Sequence, residues 1–451
     1  MREGIEGGYS ACSYVGRMVQ TATDSKLGDN LLTLRGVQWI LGTKDDPYAL
    51  LLRAASDDPR ELGRRIRERG PLSFSHAMAW VTASAEPGEA VLGDARLSPR
   101  HPDDRTETAE DADAGAEAMP WDIPVLRKVL PLRDAFVTLD RADYVRLARW
   151  AEPVIAGALA RRREVIADRY RARVRDLPGE FDLMTGLARD VSAAVVADLL
   201  GLPAGRRERF AQLCAGTAGT LDATLCPPRL AAARDLLTSL AEMRKLLGEA
   251  VESARTSPGE GLAGELLRAA ADDAETGPDD VLAVCVLLAV VGSDTAANLV
   301  CETVAALLDH PDQWKLVRAD PGLAAAAVEE TLRYAPPIRL HQRYAQEDLE
   351  LAGQRIETGQ EVVVVAEAAN RDPAVHGDPD GFDIRRPRIR HLTFPEGSPV
   401  ALAASLARAQ AAAAVTAVAT GLPDLRRADG VLRRLRSPAT AAVLRLPVRT
   451  G

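Results

Sequence analysis

Apolar residues recur at three- to four-residue spacing across most of residues 139–334, which predicts an almost wholly helical stretch. Helices are expected over 141–173, 181–202, 203–215, 229–256, 311–318 and 321–334, with SPGEG at 257–261 breaking the pattern. Residues 279–310 are apolar nearly all round and should form a long central helix. Upstream, 31–42 is amphipathic, with Val37, Trp39, Ile40 and Leu41 making it sticky; it packs on its own core or offers a partner surface. Residues 59–69 read as a helix, and 72–75 with 79–83 as a hairpin. After Pro336-Pro337 the period changes to two, predicting strands at 339–344, 349–351 and 361–365 joined by glycine turns. A loop-rich meander over 368–387 leads to HLTFPEGSPVALAASLARAQ at 391–410. That stretch reads as a β-prone start, a Pro/Gly/Ser loop and an alanine-rich helix to residue 419, before a strand-rich tail.

At 451 residues and 47% hydrophobic, the chain can build a large core. One domain is expected over 31–451, preceded by a polar, Gly-rich flexible segment at 1–30. Residues 101–119 hold seven acids and one Arg with no apolar period, which predicts a mobile, solvated acidic loop. The net charge of −9 argues against sequence-independent nucleic-acid binding, which needs a basic surface. The five cysteines, Cys12, Cys214, Cys226, Cys285 and Cys301, show no metal-ligand spacing and read as reduced thiols; none lies beyond 301. The first 18 residues lack a signal peptide's apolar core, and the longest apolar run, 281–291, is about half the length that spans a bilayer. A cytoplasmic protein without membrane attachment is expected.

Three places carry candidate chemistry. Gly292-Ser293-Asp294-Thr295 interrupts the apolar central helix, where the glycine alone costs about 1 kcal/mol. Such features persist where a backbone is approached closely or a helix opens locally. Glu330 and Arg333 share a helix face at i,i+3. The loop PEGSPV opens onto a helix N-terminus, a natural anion site, yet its only charge is Glu396. Dinucleotide, Walker, HExxH and GxSxG motifs are absent.

The order of these features resembles a soluble bacterial cytochrome P-450 along nearly the whole chain. AVVGSDTAANLV (289–300) is similar to that family's oxygen-activating helix, and AAAVEETLRYAPPIRLHQR (325–343) to its E-x-x-R helix and following strand. ANRDP and DPDGFDIRRP are similar to its meander, and 391–410 to its haem loop. The resemblance implies a mainly α fold, a large helical region with a small β region. Phe394, Gly397, Ala404, Leu406, Ala407 and Arg408 match the loop pattern, but the thiolate position is Ala401, the basic loop residue Pro399 and the following glycine Ala403. The propionate-binding His and Arg of the family fall on Tyr144 and Ala148, whereas Arg343 matches. The meander arginine falls on Gly381, so Glu330 and Arg333 are expected to lack their third partner. Alanine cannot ligate iron, and the family's O–O cleavage rests on thiolate. The joint losses imply a protein that holds no haem and does no catalysis, with Asp294, Thr295, Glu330 and Arg333 as structural remnants.

A narrower resemblance lies in LLTLRGVQWILGTKDDPYALLLRAASDDP (31–59). It is similar to haem-less cytochrome P-450 homologues that bind and activate deoxysugar glycosyltransferases in macrolide and anthracycline antibiotic biosynthesis. That implies a heteromeric partnership, a heterodimer or heterotetramer, docking through 31–42 or the basic stretch 160–173. The alternatives are a haem monooxygenase with atypical ligation, His391 being the nearest ligand in sequence, and a small-molecule binder using the vacated cavity.

Overall fold

The structure is a computed structural model describing residues 24–451 apart from 56, 107–122, 258, 260, 272, 274 and 388. Helix α1 (Asp24–Gly42) starts inside the segment expected to be flexible, because Leu27 and Leu31 bury against the core and order residues 24–30. The remainder of that segment, and most of the acidic 101–119 stretch, lie outside the described residues.

The helical stretch forms α2 (Arg141–Arg161), α3 (Arg163–Arg175), α4 (Arg189–Leu200), α5 (Ala204–Thr217), α6 (Leu230–Thr256) and α7 (Pro278–Asp309). It continues into α8 (Ala324–Tyr334), and α9 (Ala404–Gly421) follows the loop. Three expectations need correction. The 141–173 stretch breaks at Arg162 instead of running through. Residues 181–202 do not begin as a helix: Glu180–Asp182 is a strand captured by the tail strand Pro447–Arg449, with Phe181 opposite Val448. Helix α4 is then entered through a π turn at Met184–Ala188. Residues 391–394 likewise form bends rather than a strand, and a 3-10 turn at Pro399–Ala403 precedes α9.

Helix α7 is the axis, packing against α9, α4 and α8. Its all-round apolarity follows from burial on every side. By length and composition α7 and the segment Pro399–Gly421 could each cross a membrane, but 94% and 61% of their apolar windows are buried inside this protein.

The β region is a five-stranded sheet of β1 (Ser73–Phe74), β2 (Ala79–Thr82), β3 (Leu97–Ser98), β4 (Leu340–Ala345) and β5 (Glu361–Val365), in the order β1-β2-β5-β4-β3. Strand β5 is its hydrophobic centre, parallel to β2 and antiparallel to β4, with Val362 opposite both Trp80 and Arg343. The expected hairpin at 72–83 is β1 and β2.

One lock joins the helical and β regions. Glu330 and Arg333 on α8 are fully buried and paired twice, Nε to Oε2 at 2.9 Å and Nη2 to Oε1 at 2.7 Å. The Arg333 guanidinium also donates to the carbonyls of Asn370, Pro379 and Gly381. The pair has not lost its third partner: Arg386 donates Nε to Glu330 at 3.2 Å and reaches the carbonyls of Asp378 and Gly381. The meander turns back after Gly381, so an arginine five positions downstream fills the place that alignment left vacant. Replacing Arg386 with Ala leaves a buried carboxylate short of a donor and is expected to cost about 1–3 kcal/mol in a urea titration. An unchanged midpoint and slope would show that Arg333 alone suffices.

Candidate functional site

The site candidates lie where α7 crosses the turn 399–403. Leu288–Gly292 of α7 is a π turn, which frees the Ala289 carbonyl from the regular ladder. That carbonyl accepts from the Ser293 hydroxyl, with the Cys214 thiol 3.8 Å away. The polar interruption read in the sequence is therefore the local opening, and its loose end is satisfied by its own side chain. Gly292 is also explained: a Cβ there would lie 2.8 Å from Leu406 Cδ2 and 3.7 Å from the Ala403 methyl. Backbone and the start of α9 meet closely here, so a larger residue would have to displace the Leu406 side chain.

The loop side is equally filled. Ala401 sits in the 3-10 turn, its N–H bonded to the Ser398 carbonyl at 2.9 Å and its methyl packed against the main core. Pro399, Val400, Leu402 and Ala403 are buried around it. Tyr144 on α2 is buried with its hydroxyl donating to Glu152 at 2.8 Å; burial pushes the phenol well up, so it stays neutral. Ala148, one helical turn along, packs against the same core. Gly397, at φ +78°, adopts a left-handed conformation beneath the Arg141 guanidinium, which donates to the Leu92 carbonyl.

Arg343 on β4 differs. It is 3% exposed, its Nη1 bonds only to the adjacent Gln342 carbonyl, and its Nη2 has no partner among the described residues. Burial, with Arg141 adding repulsion, lowers its pKa to about 10, so it remains a cation near neutral pH. Beside it, His341 is held neutral by burial and by Arg343, with a pKa of about 3, and donates Nε2 to the Leu392 carbonyl. These groups border a cavity of about 50 Å³ also lined by Val137, Leu225, Ile338, Ser398 and Val400. It has room for a few waters.

The residues present do not fit a haem. Ala401 offers no ligand, Tyr144, Ala148 and Pro399 would supply no cation to a propionate, and Ala403 packs against the π turn. Only Arg343 keeps the charge the resemblance called for. His391 is held elsewhere: it faces Glu329 at 3.5 Å, alongside Arg408 at 2.6 Å. Burial opposes ionisation of Glu329, but bonds from His391 and Arg408 prevail and hold its pKa at about 2. Arg408 also stacks over Phe394, so two residues that match the loop pattern serve packing. No group of three or more potential metal ligands occurs among the described residues.

Asp294 and Thr295 sit on the next turn of α7. Thr295 is buried, and Asn298 donates to the Asp294 carbonyl while accepting from Val443 N–H in the tail. The Asp294 carboxyl is pushed up to about 6 by burial; Arg434 and Arg189 oppose the shift and Asp222 adds to it. Asp222 itself went unnoticed in the sequence. It is buried and accepts from Ser437, Ala439 and Thr440, pinning the tail loop across the helical region. Its partners lie more than 200 positions away, beyond the reach of any local pattern.

A family model described as cytochrome P-450 matches residues 239–392, ending just before the loop that carries Ala401. The chain is 44% identical over 437 residues to Protein AknT of Streptomyces galilaeus, covering 95% of this chain and 97% of that one. It is 34% identical over 444 residues to Protein DesVIII of Streptomyces venezuelae, covering 97% of each. Among solved structures, ligand-free CYP164A2 of Mycobacterium smegmatis superposes with a TM-score of 0.76 at 28% identity, covering 90% of this chain and 99% of that one.

The raised Asp294 pKa fixes a pH signature. Below about pH 3 the carboxyl is protonated in folded and unfolded chains alike and carries no penalty. The penalty grows as pH rises from there toward 6, where the folded group ionises, and stays constant above that. Asp294→Asn is expected to raise the unfolding free energy by about 1–3 kcal/mol near pH 7.5 and to leave it nearly unchanged near pH 3. Equal effects in denaturant titrations at both pH values would contradict the buried-carboxylate account.

Proposed function

The chain belongs to the cytochrome P-450 family, and on that premise we propose that it is a non-catalytic auxiliary protein. It binds and stabilises or activates a partner deoxysugar glycosyltransferase in polyketide antibiotic biosynthesis, in the cytoplasm and without haem. The observation that carries this reading is Ala401, which leaves the loop without a ligand while its neighbours pack directly on α7. Supporting it are the near full-length likeness to Protein AknT and Protein DesVIII and the similarity of 31–59 to the activators.

Two rival readings are less well supported. An atypically ligated monooxygenase would draw on His391, which is engaged with Glu329. A binder of a bulky aglycone would need far more room than the cavity of about 50 Å³ beside Arg343; an open cleft of about 710 Å³ lies elsewhere, lined by Pro153, Gly157, Arg161 and Glu265. As an auxiliary protein the chain works by selective binding. A partner that associates only with the folded transferase stabilises it by about 2.7 kcal/mol at 100 times its Kd, by mass action alone. Activation in the stricter sense requires higher affinity for the competent transferase conformation than for the inactive one.

The glycosyltransferase of the same producing strain, purified alone and with this chain, provides the test. Turnover is expected to rise on addition of the chain, saturably and with a heterodimer or heterotetramer eluting together. Equal turnover by the soluble transferase alone would end the proposal.

A further inference from the structure

The two docking stretches named from sequence differ in what they leave exposed. In the basic stretch four of six arginines are paired within the molecule: Arg161 and Arg162 with Glu265, Arg169 with Asp198, and Arg171 with Glu164 and Asp168. Arg173 donates to the Gly186 carbonyl, and the large apolar residue exposed there is Val165. The stretch keeps a reduced positive charge without an apolar strip beside it.

Helix α1 presents the opposite case. One face is anchored: Leu27 and Leu31 are buried, Gly28 approaches Leu230, and Gln38 acts as a clamp. The Gln38 amide donates to the Leu225 carbonyl at 2.8 Å and accepts from Arg436 in the tail at 3.1 Å. The other face is largely exposed, with only Arg53 resting over the Trp39 ring at 5.1 Å among the described residues. Leu32 is 64% exposed, Trp39 56% and Ile40 60%, and at i, i+7 and i+8 they form one apolar strip. Between them sits Gly36, with no atom within 4 Å of where its Cβ would be. Glycine inside a helix costs about 1 kcal/mol relative to alanine, and no described residue uses the space it clears. A notch flanked by Leu, Trp and Ile suits the close approach of an outside side chain.

The strip is bordered by positive charge in a chain whose net charge is −9. Arg35, Arg229 and Arg436 lie close enough that, after burial, the other two are the main influences lowering the Arg35 pKa. Arg35 and Arg436 each bury an Nε without a partner among the described residues. Leu435, beside Arg436, is 75% exposed. Apolar anchors including Trp, beside arginines lacking carboxylates, are the composition of an interface centre. A lipid surface fits less well, because interfacial helices carry large residues along the apolar centre and basic residues on the polar face. Here the centre is Gly36, and the flanks of α1 carry Asp24 and Asp29.

Resting on the function proposed above, we propose that the Leu32–Gly36–Trp39–Ile40 face of α1, with Arg35, Arg229 and Arg436, is the docking surface for an acidic, apolar helical face of the glycosyltransferase. Anchoring by Gln38 holds this face in its binding geometry before the partner arrives, which lowers the entropic cost of association.

The experiment measures binding of the full-length chain to the transferase of its producing strain by sedimentation and calorimetry. It compares wild type, Trp39→Ser/Ile40→Ser, Gly36→Leu and Arg229→Glu. All four positions are exposed, so circular dichroism and thermal midpoints should stay at wild-type values. Each variant is expected to weaken binding at least about tenfold, and the Arg229→Glu loss should shrink as salt is raised. Wild-type affinity in all three variants overturns the surface while leaving the auxiliary function standing. The absence of any wild-type complex overturns the function itself. Phosphatidylglycerol vesicles serve as a separate arm: wild-type binding to vesicles that the same substitutions abolish, with transferase binding intact, would reassign the face to a membrane.

Discussion

The contact on which the rest of the structure depends is the seating of the α7 π turn on the loop before α9. Gly292 brings backbone against the Leu406 and Ala403 side chains, where an added Cβ would lie 2.8 Å from Leu406 Cδ2. Because the π turn frees a carbonyl, the seating also needs a local donor, and Ser293 provides it. The 399–403 turn is buried beside this contact, and Ser398 and Val400 border the cavity of about 50 Å³ that Arg343 also lines. A buried, unpaired guanidinium is a net cost, since desolvation is not returned by a counter-charge.

Much of this was readable in advance because it rests on local periodicity. The all-round apolar run gave α7, the change of period after Pro337 gave β4 and β5, and Gly292 marked both a close approach and a local opening. The failures have a common physical origin: they were decided by residues remote in sequence. Phe181 reads as the start of a helix but pairs with Val448. Arg162 breaks a periodic stretch without any Pro or Gly to announce it. Asp222 organises the tail loop through partners more than 200 positions away. Arg386 completes the Glu330–Arg333 lock although position-by-position comparison puts Gly381 in that role. Strict alignment reports which residue stands at a position, whereas the meander needs only a guanidinium within reach of the carboxylate.

Stability and chemistry have thus parted company in this chain. The elements that hold the scaffold together, the buried Glu330–Arg333–Arg386 cluster, the Arg408–Phe394 stack with Glu329, and the valine-rich β5, are intact. The positions that would present chemistry are filled with methyl groups, a proline and a neutral phenol. A fold kept rigid with its interior closed can still act through its surface, and α1 concentrates the exposed apolar residues and uncompensated arginines such a role needs. The function is accordingly argued from the interior by exclusion and from the surface by composition.

The central claim is that this interior has been closed to haem by its own packing. Its most direct test is a titration of hemin into the purified, folded chain, followed by Soret absorbance against a heme-loaded cytochrome P-450 as control. The account predicts only weak, non-saturating absorbance, with no band of stoichiometric intensity. Saturable binding at equimolar hemin, weakened by Arg343→Met, would contradict it, because a buried Arg343 would then be serving a propionate in a pocket that opens.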